Sequence, residues 1–336
     1  MANLKAPFPY FGGKSTIAHE VWEGLGEIHH YIEPFFGSGA VLLNRPNFDP
    51  KTHIETINDK DGFITNVWRS LQFSPDVVAK WCDWPVNHAD LMSRKKSLIK
   101  NEEKLLENLV KDDTWHDPKM AGYWIWANSC WIGSGLTRPG QIPHIANGGK
   151  GVHALGQRPH IANGGKGVHA LGKRPHIADG GEGTSKDVQG PYNTNIYKWF
   201  RDLSERLRYV RVVCGDWTRV CGGNWQDHCG LCGIFFDPPY GIKANRTSTI
   251  YHKDSLTIAD DVRQWALERG DKESYRIILA GYFEEHQELL KHGWRFKLWR
   301  AVGGYANIGE KQGKQNRLKE ALFLSPHCIF NEFDFR

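Results

Sequence analysis

The stretch FFDPPYG at residues 235–241 sets a carboxylate, two prolines and a phenol ring directly after an apolar run. Each proline lacks a backbone N–H and has φ fixed at about −65°, so a strand over 233–236 must end at Asp237. The run Gly-Ile-Phe-Phe is typical of a strand buried on both faces of a parallel sheet. Ligands of open α/β sheets bind at the carboxyl ends of strands, which makes Asp237 a candidate site residue. A Pro-Pro turn with a capping aspartate is the alternative interpretation.

A second pattern suited to ligand binding is the glycine turn EPFFGSG at residues 33–39. It follows the strand-like HYI and precedes the helix-like AVLLN, so amide N–H groups and a helix N-terminus point at a ligand above the turn. Asn58-Asp59 ends the next strand about 20 residues later, where an acid commonly accepts hydrogen bonds from ribose hydroxyls. The alternatives are a turn that binds nothing and a helix N-cap at Asp59.

Helices and strands must position these residues, and in two stretches of the chain the two kinds of element are predicted to alternate. Residues 1–69 and 191–336 alternate helix-like and strand-like segments, which predicts one α/β domain with a Rossmann-like, doubly wound sheet. Residues 70–190 differ, and we predict an inserted, mainly helical lobe there. Its charged helical stretch repeats leucine at heptad-like intervals, at Leu91, Leu98, Leu105 and Leu109.

Part of the insertion is a tandem repeat with a period of 16 residues. PHIANGGKGVHALGQR at 143–158 is followed by PHIANGGKGVHALGKR at 159–174 and by a partial third copy that ends at residue 185. Each copy is rich in glycine and has too few apolar residues to form a core, which predicts a surface loop. The Gly-Gly-Lys-Gly segment lacks the spacing of a phosphate-binding loop.

Composition limits the class of protein. The 336 residues include 43 Lys+Arg and 38 Asp+Glu, a mildly basic balance that fits a polyanionic partner without requiring one. Seven cysteines, an odd number, indicate reduced thiols. Cys229 and Cys232 form a CxxC motif with Cys221 and His228 nearby; zinc is the alternative there, and we predict no metal. The sequence has no membrane-length apolar run and no signal-peptide core, which predicts a cytoplasmic protein without a membrane partner.

Four motifs, in their order along the chain, resemble those of the D12-class (Dam-like) DNA adenine-N6 methyltransferases. They are PYFGGK at 9–14, EPFFGSG at 33–39, IND at 57–59 and DPPY at 237–240. In that family the cofactor motifs come first, a target-recognition lobe is inserted next and the DPPY motif follows, which is the order found here. The resemblance covers residues 1–70 and 192–325.

The resemblance implies S-adenosylmethionine as methyl donor and a catalytic methyltransferase domain formed by residues 1–69 and 191–336. Carried over by position, Tyr10 and Lys14 border the cofactor, and Asp59 binds its ribose. Asp216 binds the cofactor adenine, although the end of VVCGDW is equally suited to a capping acid. The rest of the cofactor-binding set, around the methionine part, is Glu33, Phe35, Gly37, Ser38 and Gly39.

The implied reaction explains the form of the DPPY motif. An exocyclic adenine amine is a poor nucleophile because its lone pair is delocalised into the ring, so a site must accept its N–H hydrogens while aiming the nitrogen at the methyl group. The Asp237 carboxylate and the Pro238 carbonyl provide two acceptors, and Pro239 helps to keep that carbonyl rigid. Tyr240 is expected to stack on the flipped base, a contact worth about 1–3 kcal/mol. Phe35 lines the same pocket or belongs to the core.

The insertion is the part of the chain large enough to hold a separate DNA reader. Lysine and arginine supply affinity for phosphates, whereas specificity needs Arg, Asn or Gln against base edges. A charged helical face that is merely solvated is the alternative, and the repeats are interpreted as a spacer or a loosely basic arm that touches DNA. The residues predicted to contact DNA are Asn128, Trp131, Arg138, Lys150 and Lys166.

The predicted function is therefore site-specific transfer of a methyl group from S-adenosylmethionine to N6 of a flipped adenine in double-stranded DNA, by a monomer or weak dimer. One alternative is cytosine-N4 transfer, which uses the same type of amine chemistry. The other is a DNA-binding relative that has lost catalysis. A cognate restriction enzyme or a phage context is left open, as is the recognition sequence.

Overall fold

The chain forms two compact units in the computed structural model. The helical unit comprises residues 1–9 and 61–208, and the sheet unit comprises residues 10–60 and 209–336. The repeats at 143–185, together with Lys150, Lys166 and Tyr240, lie outside the described residues. The structure describes residues 4–8, 10, 13–84, 87–131, 136–138, 194–239, 257–299 and 320–330.

Seven strands in the described part of the sheet unit form one sheet in the order β3-β2-β1-β4-β5-β7-β6. Strands β3, β2, β1, β4 and β5 pair in parallel, whereas β7 is antiparallel to both β5 and β6. The mixed α/β class with a mostly parallel sheet is confirmed. The strands are β1 (His30–Glu33), β2 (Ile54–Asp59), β3 (Val210–Cys214), β4 (Cys232–Phe236), β5 (Tyr275–Tyr282), β6 (Arg295–Leu298) and β7 (Glu320–Leu324).

The centre of the sheet explains the continuous apolar runs of the sequence. Strands β1 and β4 are buried along their whole length, as expected for parallel strands covered on both faces. Phe236 at the end of β4 packs against Trp217 and Trp265 in a cluster of edge-to-face aromatic rings. The helices of this unit are α1 (Ala18–Leu25), α2 (Ala40–Leu43), α8 (Thr218–Cys221), α9 (Ile258–Arg269) and α10 (Phe283–His286).

The helical unit contains the long charged helix that the leucine spacing predicts. The four heptad-like leucines are all buried on α5, so this helix turns one apolar stripe inward. Side-chain caps begin three helices, because Asp61, Asn87 and Asp117 each accept a hydrogen bond from a first-turn amide. The helices are α3 (Gly62–Phe73), α4 (Pro75–Cys82), α5 (His88–Lys111), α6 (Pro118–Cys130) and α7 (Thr194–Leu207).

The compact units divide the chain at other residues than the predicted domains do, and the predicted domains stay a prediction. Residues 61–69 and 191–208 are predicted to belong to the domain that carries the sheet, whereas helices α3 and α7 belong to the helical unit. Their amphipathic patterns are also compatible with covering a sheet, so sequence periodicity alone does not decide which unit they join. That residues 70–190 act as a target-recognition lobe stays a prediction.

The described residues contain neither a membrane-spanning helix nor a metal-binding cluster nor a disulfide. No helix in the described part of the chain is long and apolar enough to cross a membrane. Within those ranges, no cluster of His, Cys, Asp and Glu side chains is arranged to hold a metal ion. All seven cysteines are described and none is in a disulfide; burial raises the pKa of the Cys221 and Cys232 thiols.

Close packing of α4 on α6 depends on a glycine. A Cβ added at Gly122 would lie 2.5 Å from Trp81 Cβ and 2.8 Å from the Val78 backbone oxygen. Backbone atoms cannot rotate away, so the two helices would have to separate. Gly62, at the start of α3, differs because the nearest atoms to a Cβ there would be the flexible ends of the Leu105 and Leu106 side chains, 3.2 Å away, and Leu106 Cβ would lie at an ordinary contact distance of 3.7 Å.

We expect Gly122→Ala to lower the free energy of unfolding by about 1–3 kcal/mol, the usual cost of overpacking, despite the better helix propensity of alanine. Gly62→Ala is the matched control and should change it by less than about 1 kcal/mol. Denaturant unfolding of both variants measures the difference. Equal effects of the two substitutions would contradict the close approach of α4 and α6.

A buried histidine at the amino edge of the sheet makes stability depend on pH. His30 in β1 is 0% exposed, and its Nε2 lies 2.8 Å from Thr56 Oγ1. Burial, helped by the positive charges of Arg211 and Arg45, lowers its pKa from 6.5 to about 4. The unfolded chain therefore binds a proton between these two pH values that the folded chain does not bind.

The free energy of unfolding should accordingly fall as the pH decreases from 6.5 to about 4, by at most about 1.4 kcal/mol per pH unit from this residue. His30→Gln does not titrate and can keep a hydrogen bond to Thr56. The difference in unfolding free energy between wild type and this variant should shrink steadily on acidification. Two parallel stability curves would show that His30 is not responsible.

Candidate functional site

The site lies where three neighbouring parallel strands end. Strand β1 pairs with β2 on one side and with β4 on the other, so their carboxyl ends share one edge of the sheet. Glu33 ends β1, Asp59 ends β2 and Asp237 directly follows β4. The predicted acids of three separate motifs therefore meet at the edge where open α/β sheets bind ligands.

The glycine turn after β1 is fixed to the end of β2. Gly37 and Gly39 have φ values of +49° and +67°, in the left-handed region that glycine adopts without strain. The Gly37 amide donates to Asp59 Oδ2 at 2.9 Å, and the Phe36 amide donates to the Asn58 carbonyl at 3.0 Å. The predicted ribose-binding acid thus also holds the turn in shape.

Asn58 is a structural member of the site that the sequence analysis did not single out. Its side-chain amide donates to the carbonyls of Pro34, at 3.0 Å, and Gly215, at 3.1 Å, so it joins the loop after β1 to the loop after β3. The side chain is 1% exposed. A polar residue just inside the end of a strand was the available signal, because a buried amide must find partners.

The N-terminal motif packs against the same turn. A Cβ added at Gly37 would lie 2.6 Å from Tyr10 Cε1, so the tyrosine ring covers the glycine. The Gly13 amide donates to the Tyr10 carbonyl at 3.2 Å, and a Cβ at Gly13 would lie 3.6 Å from Ser38 Oγ. Glycine is needed at position 37 both for its positive φ and for this close approach.

A buried ion pair joins the first motif to the last. Lys14 Nζ lies 2.8 Å from Asp237 Oδ2, and only 5% and 22% of the two side chains are exposed. The ammonium also lies 5.8 Å from the centre of the Trp299 ring. Burial raises the pKa of the Asp237 carboxyl, and the charge and hydrogen bond of Lys14 oppose this rise. The ion pair therefore favours the ionised form of a carboxyl group that its surroundings would neutralise.

A second carboxyl group lies near this pair. Glu33 is 3% exposed, and its Oε2 accepts a hydrogen bond from the Tyr31 hydroxyl at 2.8 Å. Burial raises the pKa of Glu33 well above its usual range, and the negative charge of Asp237 acts in the same direction, whereas the Tyr31 hydrogen bond lowers it. The negative charge of Asp237 therefore disfavours the ionised form of Glu33, whereas Lys14 directly stabilises the ionised form of Asp237.

Asp216 has the contacts of a capping acid. Its Oδ1 accepts hydrogen bonds from the Thr218 amide at 3.2 Å and the Thr218 hydroxyl at 2.9 Å, and its Oδ2 lies 3.5 Å from Lys60 Nζ. Burial alone would raise its pKa, but the Thr218 hydrogen bonds and the charge of Lys60 lower it overall. Its role toward a cofactor stays a prediction. Phe35 lies 6.5 Å from Trp217 between ring centres, so its ring also contacts the aromatic core.

The described candidates for DNA contact lie in the helical unit. Trp131 is 5% exposed, and Lys95 Nζ lies 4.8 Å from the centre of its ring. Its contact with DNA stays a prediction. Asn128 and Arg138 are partly exposed, and the Arg138 carbonyl accepts a hydrogen bond from Lys95 at 2.8 Å. Their contact with DNA stays a prediction.

A protein-family model matches the part of the chain that carries the first three motifs. No curated protein matches the chain. The matched family range includes Tyr10, Lys14, the Glu33–Gly39 turn and Asp59, and it extends through α5 to the start of α6. The resemblance deduced from the motifs is thereby confirmed over this range: residues 10–119 match the family model of the D12 class N6 adenine-specific DNA methyltransferases.

Proposed function

We propose that the protein transfers a methyl group from S-adenosylmethionine to the N6 amine of an adenine in double-stranded DNA. The observation that carries the proposal is the meeting of four motifs at one sheet edge, completed by the Lys14–Asp237 ion pair. The family match over residues 10–119 supports the same activity. Site-specific recognition and base flipping are finer parts of this proposal.

The turn and its neighbours fit the proposed cofactor. Gly37 and Gly39 leave the backbone bare at a strand-to-helix turn, where a ligand can approach closely. Asn58 Oδ1 is buried and accepts no hydrogen bond from the described residues, so the edge retains an acceptor. S-adenosylmethionine bound here supplies an electrophilic methyl group on a sulfonium. The residues proposed to hold it are Tyr10, Lys14, Glu33, Phe35, Gly37, Ser38, Gly39, Asp59 and Asp216.

Asp237 and Pro238 are proposed to hold the acceptor amine. The carboxylate and the Pro238 carbonyl take its two N–H hydrogens and draw the nitrogen lone pair out of conjugation with the ring. Pro239 lacks an N–H, so no ladder hydrogen bond forms from this position. Tyr240, outside the described residues, is proposed to stack on the flipped adenine.

Lys14 is proposed to keep Asp237 an acceptor. A protonated carboxyl would use one oxygen as a donor and lose its attraction for the amine hydrogens. Burial favours that protonated form, and the ammonium 2.8 Å away opposes it. Burying two charges stabilises the fold little, so the proposed benefit of this ion pair is to function rather than to stability.

The helical unit is proposed to carry the DNA reader. Arg138 and the lysines of the repeats are proposed to supply phosphate affinity, and Asn128 is proposed to contact a base edge through the carbonyl oxygen and the NH2 group of its side-chain amide. Lys95 donates to the Arg138 carbonyl and lies over the Trp131 ring, and Trp131 is proposed as a further contact with DNA. Phosphate contacts of this kind weaken with rising salt, so affinities need a stated ionic strength.

Asp237→Ala should reduce methyl transfer at least about 10²-fold, because it removes one of two acceptors aimed at the reacting amine. Binding of S-adenosylmethionine should change little, since Asp59 and the glycine turn remain. Transfer of a tritiated methyl group to DNA, followed by separation of the modified bases, measures rate and acceptor together. Isothermal titration measures cofactor affinity.

The matched control is Glu268→Gln, which alters a carboxyl group 56% exposed on α9 and should leave transfer unchanged. Full activity of Asp237→Ala would overturn the proposed role of the DPPY motif. Label recovered in N4-methylcytosine would replace the proposed acceptor, and no label in any base would remove the proposed activity.

Lys14→Gln should move the acidic limb of the kcat profile to higher pH, because burial then raises the pKa of Asp237 without the opposing charge and hydrogen bond of Lys14. Activity requires the ionised carboxylate and disappears as the pH falls through that pKa. Saturating cofactor and DNA make the limb report on the bound enzyme. Lys60→Gln is the control, since this ammonium pairs with Asp216 instead. Coinciding limbs for all three proteins would show that Lys14 does not govern the carboxylate.

A further inference from the structure

Trp299 lies at the carboxyl edge of the sheet, directly after β6. Strand β7 is antiparallel to both β5 and β6, so β6 runs in the same direction as β5 and β4. The strand ends at Leu298, and the Trp299 amide donates to the Glu320 carbonyl at 3.1 Å, which fixes the backbone there. Trp299 therefore follows β6 at the same edge at which Asp237 follows β4.

The Trp299 side chain reaches the ion pair of the site. Its ring centre lies 5.8 Å from Lys14 Nζ, within the usual range of a cation–π contact, and the same Nζ lies 2.8 Å from Asp237 Oδ2. One ammonium group thus has both the carboxylate and the indole as neighbours. The indole ring therefore belongs to the surroundings of the carboxylate that is proposed to hold the acceptor amine.

The indole nitrogen of Trp299 is buried, yet its N–H has no acceptor among the described residues. A buried Trp N–H usually finds one, as Trp265 does with the Cys221 carbonyl at 2.9 Å. A buried donor without an acceptor destabilises the fold, and an acceptor supplied by a ligand removes that penalty. The side chain as a whole is partly exposed, and its χ2 torsion is soft, so the ring can turn the N–H toward an arriving acceptor.

Adenine carries acceptors next to the amine that Asp237 is proposed to hold. The ring nitrogen N1 is bonded to the same carbon as the amine, and N7 is bonded to the neighbouring carbon. Each has a lone pair in the plane of the ring and accepts a hydrogen bond. An acceptor at Asp237 and a donor at Trp299 therefore match the donor and acceptor that stand side by side on an edge of adenine.

We propose that Trp299 is a specificity-determining residue, whose indole N–H donates a hydrogen bond to N1 or N7 of the flipped adenine while Asp237 accepts from the N6 amine. The inference rests on the proposed function and adds to it a group that reads the ring of the base. It also explains how a base with a C–H in place of that nitrogen is rejected, because the indole N–H then stays without an acceptor in the complex.

Trp299→Phe keeps an aromatic ring beside Lys14 and removes the N–H. Transfer of a tritiated methyl group to duplexes made with adenine, 1-deazaadenine or 7-deazaadenine measures kcat/KM for each pair of protein and base. With adenine the variant should lose about 3- to 10-fold, the usual effect of one hydrogen bond between neutral groups. With the analogue that lacks the contacted nitrogen, wild type and variant should differ by less than about twofold, since neither can form the hydrogen bond.

Effects of the analogues on sequence recognition and on the reactivity of the amine act on both proteins and cancel in this ratio. A ratio near one with 1-deazaadenine alone identifies N1 as the acceptor, and a ratio near one with 7-deazaadenine alone identifies N7. Both results support the proposal.

Trp265→Phe is the matched control, because it makes the same substitution where the N–H already donates to a carbonyl of the fold. It should lower the melting temperature and leave the discrimination between adenine and its analogues as in wild type. Trp299→Phe should lower the melting temperature clearly less, because no hydrogen bond within the fold is lost. An equal or larger fall for Trp299→Phe would show that this N–H has a partner in the folded chain, and would overturn the proposal.

The outcomes separate this inference from the proposed function. Label recovered in adenine, with Trp299→Phe weaker than wild type by the same factor on all three duplexes, would overturn the Trp299 contact and leave the proposed function in place. No label in adenine with the wild type would overturn the proposed function, and the adenine contact with it.

Discussion

Hydrogen bonding of β1 to β2 on one side and to β4 on the other is the constraint on which the site depends. Parallel strands in register bring their carboxyl ends to one edge, so acids that are remote in sequence become neighbours. The glycine turn after β1 then needs only to reach the end of β2, and Asn58 and Asp59 hold it there. The N-terminal segment completes the edge by crossing the turn at Gly37.

The electrostatics of this edge follow from its burial. Glu33 and Asp237 are both carboxyl groups whose pKa is raised chiefly by desolvation, and Lys14 forms an ion pair with the second of them. An arrangement of this kind stabilises the fold poorly, because two buried charges lose more hydration than an exposed pair. The Lys14 charge lowers the pKa of the Asp237 carboxyl, so two groups of the same chemical type, Glu33 and Asp237, differ in their tendency to bind a proton. Such a difference is common in sites that handle hydrogen bonds to a reacting atom.

The positions of prolines, glycines and regularly spaced leucines in the sequence predicted most of this architecture. The prolines after Asp237 predicted the end of β4, the Gly-Ser-Gly run predicted the turn after β1, and the leucine spacing predicted α5. Strand β6 (Arg295–Leu298) was not predicted, because only four residues, two charged and two apolar in alternation, are too short a run to indicate a strand. The partnership of Lys14 with Asp237 and the burial of Trp131 under Lys95 also could not be predicted. Both depend on elements far apart in the chain, and a single sequence without packing does not specify such pairs.

The order of the strands also bears on how the chain folds during synthesis. His30 in β1 pairs with Cys232 in β4, so β1 leaves the ribosome about 10–40 s before its partner at ordinary elongation rates. Throughout that interval its apolar edge has no β4 to pair with, while α3 to α7 are completed. The newly synthesised chain therefore exposes an unpaired strand edge during this interval, when binding to chaperones competes with aggregation. Slower growth at low temperature should accordingly raise the yield of folded protein more than it would for a chain whose strands emerge together.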